Sequence, residues 1–290
     1  MRIFKFVEPL QRFLDDRRAA GDRIGFVPTM GALHEGHLSL IRRSQADNDL
    51  TVCSIFVNPT QFNEVSDLEK YPRTPAQDIE KLEAMGNDVL FMPEVEEIYP
   101  PGVDLYIDLD LGGLDGVMEG AFRPGHFEGV VKVVKRLLDI VSPYRLYMGQ
   151  KDYQQFIIIR HMIRQLQLPV ELVVCPILRE PDGLAMSSRN ERLSESDRRR
   201  AIVIYQALLE AHRKMEDHSP AEISCQALRQ IEQAGLQPEY FKIVDAITLQ
   251  PIDRFADAAE VVACAAAWTG NVRLIDNLIL KKEGNRVPAL

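Results

Sequence analysis

Short apolar runs alternate with segments of helical periodicity over the first two thirds of the chain. That alternation predicts an α/β fold: a Rossmann-like parallel sheet with helices on both faces, plus a smaller C-terminal α+β domain. Two features carry the prediction. The apolar runs at 24–28, 50–57, 89–92, 145–148 and 171–176 are nearly continuous, as in strands buried on both sides. Between them, Phe127, Val130, Val131, Val134, Leu137, Leu138 and Val141 follow i, i+3, i+4, i+7 spacing, the stripe of a long core-facing helix.

The elements follow in order. Ile24-Gly-Phe-Val-Pro28 reads as the first strand, then a turn and a helix through Leu38, Leu40 and Ile41, starting near Gly36 or His37. Residues 50–57 form a second strand, 77–85 a helix, 89–92 a strand, 127–141 the long helix and 145–148 a strand. A helix over 153–166 and a strand over 171–176 complete the sheet domain. From Arg179 to Ser194 the chain is polar and loop-like, and Ser194-x-x-Asp197 then marks a helix start. Helices near 196–215 and 220–234 precede apolar runs at 240–244, 261–264 and 272–275. The expected division is residues 1–177 for the Rossmann-like domain and 178–290 for a smaller α+β domain. Residues 58–75, with three prolines and little periodicity, are too long for a plain connector and read as a lid.

Composition narrows the class. The 290 residues are enough for two domains at ~150 residues each, and 46% hydrophobic content supports a large core. The net charge of −9 disfavours a nucleic-acid partner, because no basic tract offsets it. Four cysteines, none in a C-x-x-C pair, argue against a disulfide framework or zinc knuckle and fit a reducing, cytoplasmic location. No signal-peptide pattern or membrane-spanning apolar run is evident. The expectation is a cytoplasmic enzyme without membrane partners.

Ligands of open parallel sheets bind beyond the carboxyl ends of the strands, which directs attention to the residues after Val27, Val57, Met148 and Ile177. The first such segment, Pro28-Thr-Met-Gly-Ala-Leu-His-Glu-Gly-His37, has glycines for close backbone approach and two histidines one helical turn apart, at a helix N-terminus that attracts phosphate. The three-residue spacing of His34 and His37 excludes the H-E-x-x-H zinc motif. The segment Gly149-Gln-Lys-Asp-Tyr-Gln-Gln155 places Lys151 at a strand end, within reach of a phosphate, with Asp152 as a candidate helix cap. Met186-Ser-Ser-Arg-Asn190 supplies two hydroxyls and a guanidinium. Taken alone, a solvated surface explains the histidine and Ser/Arg segments better; their conjunction is what points to a nucleotide.

H-x-G-H after the first strand and a Ser/Arg loop after the last resemble the two-part triphosphate clamp of the nucleotidyltransferase superfamily, which includes class I aminoacyl-tRNA synthetases. The ordered motifs PTMGALHEGHLSLI, FVNPTQF, YPRT, RPGHFEGV, G-x-KDYQQ and MSSRN, over residues 26–190, are similar to those of the pantothenate synthetases (pantoate–β-alanine ligases). Many members of that family carry Glu where this chain has Gln150. The resemblance implies an ATP-dependent, Mg²⁺-requiring homodimeric ligase that joins pantoate to β-alanine through a pantoyl-adenylate, releasing AMP and pyrophosphate. It implies that Met30, Gly31, Ala32, Leu33, His34, Glu35, Gly36 and His37 contact ATP. So do Gly149, Gln150, Lys151, Asp152, Met186, Ser187, Ser188 and Arg189, with Leu178 beside adenine. Gln61 and Gln155 hold pantoate, Gln61 also meets β-alanine, and His37 is the proton donor, with His34 and Lys151 assisting. Arg123 and His126 read as supports, and Asp78 as a candidate Mg²⁺ ligand. The rival readings are a nucleotidyltransferase that keeps the nucleotide in its product and a non-catalytic nucleotide sensor.

Overall fold

The computed structural model of the chain describes residues 1–63, 68–103 and 105–282. Two compact units are present. One comprises Met1–Asp115, Glu119–Gln150 and Gln155–Pro176, the other Gly116–Met118, Lys151–Gln154 and Ile177–Leu290.

The first unit is built on a six-stranded, all-parallel sheet of β1 (Arg2–Phe4), β2 (Ile24–Thr29), β3 (Leu50–Ile55), β4 (Val89–Phe91), β5 (Arg145–Gly149) and β6 (Glu171–Cys175). The spatial order is β1-β4-β3-β2-β5-β6. From β2 the chain steps to β3 and β4 on one side, then returns to β5 on the other, so the strand order reverses between β2 and β5. That reversal is where open α/β sheets bind their ligands. The connecting helices are α1 (Val7–Ala19), α2 (Glu35–Asp47), α3 (Pro75–Ala84), α4 (His126–Val141) and α5 (Tyr153–Gln165).

Burial explains why these segments take these forms. All six residues of β3 are buried. Val27, Cys53, Leu90 and Tyr147 of the strands pack with Leu38, Leu40 and Ile41 of α2 and Leu82 of α3. Each such aliphatic side chain contributes roughly 1.5–3 kcal/mol on burial. Helix α4 packs against β2 and α1. Strand β1 and helix α1 have weak sequence signals: β1 is three residues long, and α1 buries Leu10 and Leu14 amid charged residues.

The turn from β2 into α2 is held from a distance. Gly31 has φ +83°, and a Cβ there would lie 3.0 Å from Ile55 Cγ2 and 3.2 Å from Asp78 Oδ2. Asp78 of α3, 1% exposed, accepts hydrogen bonds from the N–H groups of Ala32 (2.9 Å) and Leu33 (2.7 Å). One helical turn on, Lys81 Nζ donates to the Leu33 carbonyl at 2.6 Å. Helix α2 begins at Glu35, one or two residues before the position expected from sequence, because His34 is its N-cap.

In the second unit, β7 (Gln237–Asp245), β8 (Val261–Thr269) and β9 (Val272–Lys281) form an antiparallel sheet in that order. Helices α6 (Glu195–Ala201), α7 (Val203–Lys214) and α8 (Pro220–Gln233) accompany it, so the single helix expected near 196–215 is two helices meeting at Ile202. Ala263, Ala265 and Ala267 of β8 share a core with Ala207, Leu208, Ile223 and Ala227, small residues that allow close helix–sheet approach. Ser194 caps α6 by accepting from Asp197 N at 3.1 Å, as its sequence signature predicts. The lid expected over residues 58–75 includes 64–67, which lie outside the described residues. Among the described residues no helix is long and apolar enough to cross a membrane.

Replacing Asp78 with Ala removes a charged acceptor from two buried N–H donors, and we expect a destabilisation of roughly 3 kcal/mol or more in urea unfolding. Cys53, Cys175 and Cys264 are buried and Cys225 is exposed. Burial pushes the Cys53 thiol up to about 12 and raises Cys175 as well. At pH 8 a thiol-specific disulfide reagent should therefore label one of these four cysteines rapidly, and the other three only after denaturation.

Candidate active site

The segment after β2 presents the two histidines as a stacked pair, with ring centroids 4.0 Å apart. His34 Nδ1 accepts the Gly36 N–H at 3.1 Å, and His37 Nδ1 accepts the His34 N–H at 3.4 Å. Both rings thus take positions usually held by Ser, Thr or Glu in a capping box. A neutral imidazole that accepts at Nδ1 carries its hydrogen on Nε2, so each ring is a donor through Nε2. The N-terminus of the 13-residue α2 adds partial positive charge at the same place. Glu35, between them, pairs its carboxylate with Arg42 at 2.9 Å on the exposed side of the helix. Asp78, read from sequence as a metal ligand, uses both oxygens to hold this turn.

After β3 comes a buried polar network. Asn58 caps the 3-10 turn Pro59–Gln61, its Oδ1 accepting from Thr60 N (3.3 Å) and Thr60 Oγ1 (3.0 Å). Tyr99 OH donates to the same oxygen at 2.8 Å. Asn58 Nδ2 donates to Gln61 Oε1 and to the Gly129 carbonyl, both at 3.2 Å. Gln61 is 8% exposed, and its Nε2 lies 3.1 Å from Met30 Sδ, which brings the β2 and β3 loops together. His126 Nδ1 donates to the Gln61 carbonyl (2.8 Å), which can only accept, so Nε2 is the acceptor for Arg123 Nη1 at 3.2 Å. Gly129 is required by proximity, since a Cβ there would lie 2.3 Å from the Thr60 carbonyl oxygen. The Asn58-Pro59 start is legible in sequence as a cap followed by Pro at N1. The contributions of Tyr99 and Gly129 carry no such signal.

Gly149 ends β5, and Gln150 N–H donates to the Cys175 carbonyl at 2.8 Å. A Cβ on Gly149 would meet nothing within 4 Å, and its φ is not positive, so neither crowding nor backbone strain demands glycine. Gln155 lies half-buried in the first turn of α5.

The remaining sequence-derived residues belong to the second unit. Lys151 Nζ is 3.7 Å from the exposed Asp152 carboxylate. The Met186 N–H donates to the Leu178 carbonyl at 3.0 Å, so these two residues face each other across the stem of a hairpin bridged at Arg179 and Ala185. Ser187 Oγ caps the 3-10 helix Ser188–Arg192 through Arg189 N at 3.3 Å, and Ser188 is buried. Arg179, which sequence reasoning did not single out, makes a bidentate pair with Asp276 at 2.6 and 3.0 Å. Burial pushes the Asp276 carboxyl up, and the guanidinium opposes that. Among the described residues no group of three His, Cys, Asp or Glu is arranged to hold a metal ion.

Residues 2–279 match the sequence family described as pantoate-beta-alanine ligase. The pantothenate synthetase of Bacteroides fragilis is 48% identical over 288 residues, covering 97% of this chain and 100% of that protein. The structure of pantothenate synthetase from Thermus thermophilus aligns with a TM-score of 0.88 at 42% identity, covering 97% of this chain and 100% of that one. The pantoate-beta-alanine ligase of Francisella tularensis, solved in complex with beta-gamma ATP and beta-alanine, aligns at 0.80 and 36% identity, covering 97% and 98%. With a match over nearly its whole length, the chain belongs to the pantoate–β-alanine ligase family.

Proposed function

We propose that the chain ligates pantoate to β-alanine at the expense of ATP, through a pantoyl-adenylate. The observation that carries this reading is the stacked histidine pair after β2, whose Nδ1 atoms cap the first turn of a helix N-terminus at the sheet's reversal point and so leave the hydrogen of each neutral ring on Nε2. A carboxylate resists amines because its leaving group would be oxide. In the first step a pantoate oxygen attacks the α-phosphorus of ATP and the bond to the β-phosphate breaks, so pyrophosphate departs with growing negative charge. His34, His37, Lys151, Ser187 and Ser188 are donors suited to that charge, and the N–H groups from Met30 to Leu33 line the same turn. In the second step the β-alanine amine attacks the acyl carbon and AMP leaves.

Amides suit the carboxylate better than cations here. A full positive charge would stabilise pantoate before attack and blunt its nucleophilicity, whereas Gln61 and Gln155 orient it without neutralising it. The Asn58 contact and the Met30 sulfur fix the Gln61 amide in advance, which lowers the entropic cost of binding. Mg²⁺ fits as a passenger on ATP, since it keeps several waters and needs few protein carboxylates. Glycine at 149 is consistent with a nucleotide taking the open space beside it. The family resemblance also carries a homodimer, and four free cysteines fit a reducing cytoplasm.

Pantoate-dependent ATP–pyrophosphate exchange, run without β-alanine, tests the reading directly; absence of exchange in the wild-type protein would overturn it. Replacing Lys151 or His37 with Ala should slow exchange about 10²–10³-fold, some 2.7–4 kcal/mol, while circular dichroism remains native. Gln61→Ala should raise the pantoate KM about tenfold or more and leave the ATP KM nearly unchanged.

A further inference from the structure

In the second unit the main chain of Lys151 is held by a strand 126 residues away in sequence. Its carbonyl accepts a 2.9 Å hydrogen bond from Asn277 Nδ2, on a β9 side chain only 2% exposed. The Asn277 N–H in turn donates to Asp276 Oδ1 at 2.8 Å. Asp276, 5% exposed, receives both Arg179 nitrogens, and Arg179 Nη2 also reaches the Asn277 carbonyl at 3.4 Å. The guanidinium lies 3.7 Å from the centre of the Tyr205 ring and donates to the Gly183 carbonyl at 3.1 Å. Arg179 is therefore locked in the hairpin stem that ends at Leu178 and Met186.

Two adjacent polar residues buried in one strand are costly, because β9 must turn them to opposite faces and desolvate both. A buried ion pair is seldom worth its desolvation in stability; its better-attested use is to fix an arrangement. Here one residue of the dipeptide grips the Lys151 main chain and the other grips, through Arg179, the hairpin whose stem ends at Leu178 and Met186.

We propose that Asp276 and Asn277 are positioning residues: Asn277 sets the Lys151 backbone, and Asp276 sets the hairpin through Arg179. One strand thereby keeps both phosphate-binding segments of this unit in register. The proposal rests on the reading of Lys151 as a pyrophosphate ligand.

The test is a double-mutant cycle on pantoate-dependent ATP–pyrophosphate exchange with Asn277→Ala, Lys151→Ala and the combined variant. Asn277→Ala should lower the exchange rate about tenfold to a hundredfold with pantoate KM unchanged within about twofold. The combined variant should be no slower than Lys151→Ala alone, since Asn277 acts through that residue. Wild-type exchange in Asn277→Ala, or losses that multiply in the combined variant, would overturn the proposal. Should Asn277→Ala fail to fold by near-ultraviolet circular dichroism, Asp276→Asn replaces it, with a several-fold rise in ATP KM expected and an unchanged ATP KM counting against. A wild-type protein without exchange would remove the ligase reading and this proposal together; an active wild type beside an unaffected variant removes the proposal alone.

Discussion

A single buried carboxylate organises the β2–α2 turn at the carboxyl end of the sheet. Asp78 reaches from α3 to the β2–α2 turn and accepts two main-chain N–H groups that helix and sheet leave unpaired. The turn it holds contains Gly31 (φ +83°), where a Cβ would crowd Ile55 and Asp78, and the left-handed Ala32 (φ 49°), just before the His34 cap that starts α2. The histidine rings inherit their orientation from that start, because each bonds a main-chain N–H in the first turn. The tautomers follow from these Nδ1 contacts, at the end of a turn that Asp78 holds from α3.

Around Gln61 the design is different. There, uncharged groups saturate one another: an Asn side chain with five partners, a Tyr hydroxyl, a His with both nitrogens engaged, and a thioether. A network so fully paired is rigid, since any rotation leaves a buried group unsatisfied. The charged side chain among these contacts is Arg123, which reaches Gln61 only through His126. The contacts that orient the amide, to Asn58 and Met30, are thus uncharged.

Strands β2 to β6 and the long helix α4 are legible in the sequence because burial on two faces, or on one helical stripe, writes itself as apolar spacing. The HxGH, NPTQF and KDYQQ segments are legible because chemistry-bearing residues sit together at strand ends. What the sequence hides is support at long range. Nothing near Asp78 announces that it bonds a turn 46 and 45 residues earlier. Asp276 and Asn277 look like a polar interruption of an apolar run until β9 is paired and Arg179 docks. His34 as a helix cap goes unforeseen because imidazole is not among the usual capping groups. The break at Ile202 leaves no Gly or Pro to mark it.

The contact between α4 and the Thr60–Gln61 backbone leaves no room at Gly129 for even a methyl group. Any added side chain would drive the helix off the loop and disturb the Gln61 amide with it. An inhibitor leaning on that stretch of backbone would therefore rest on a wall that drug pressure has little freedom to redraw, since a side chain at Gly129 would collide with the backbone itself.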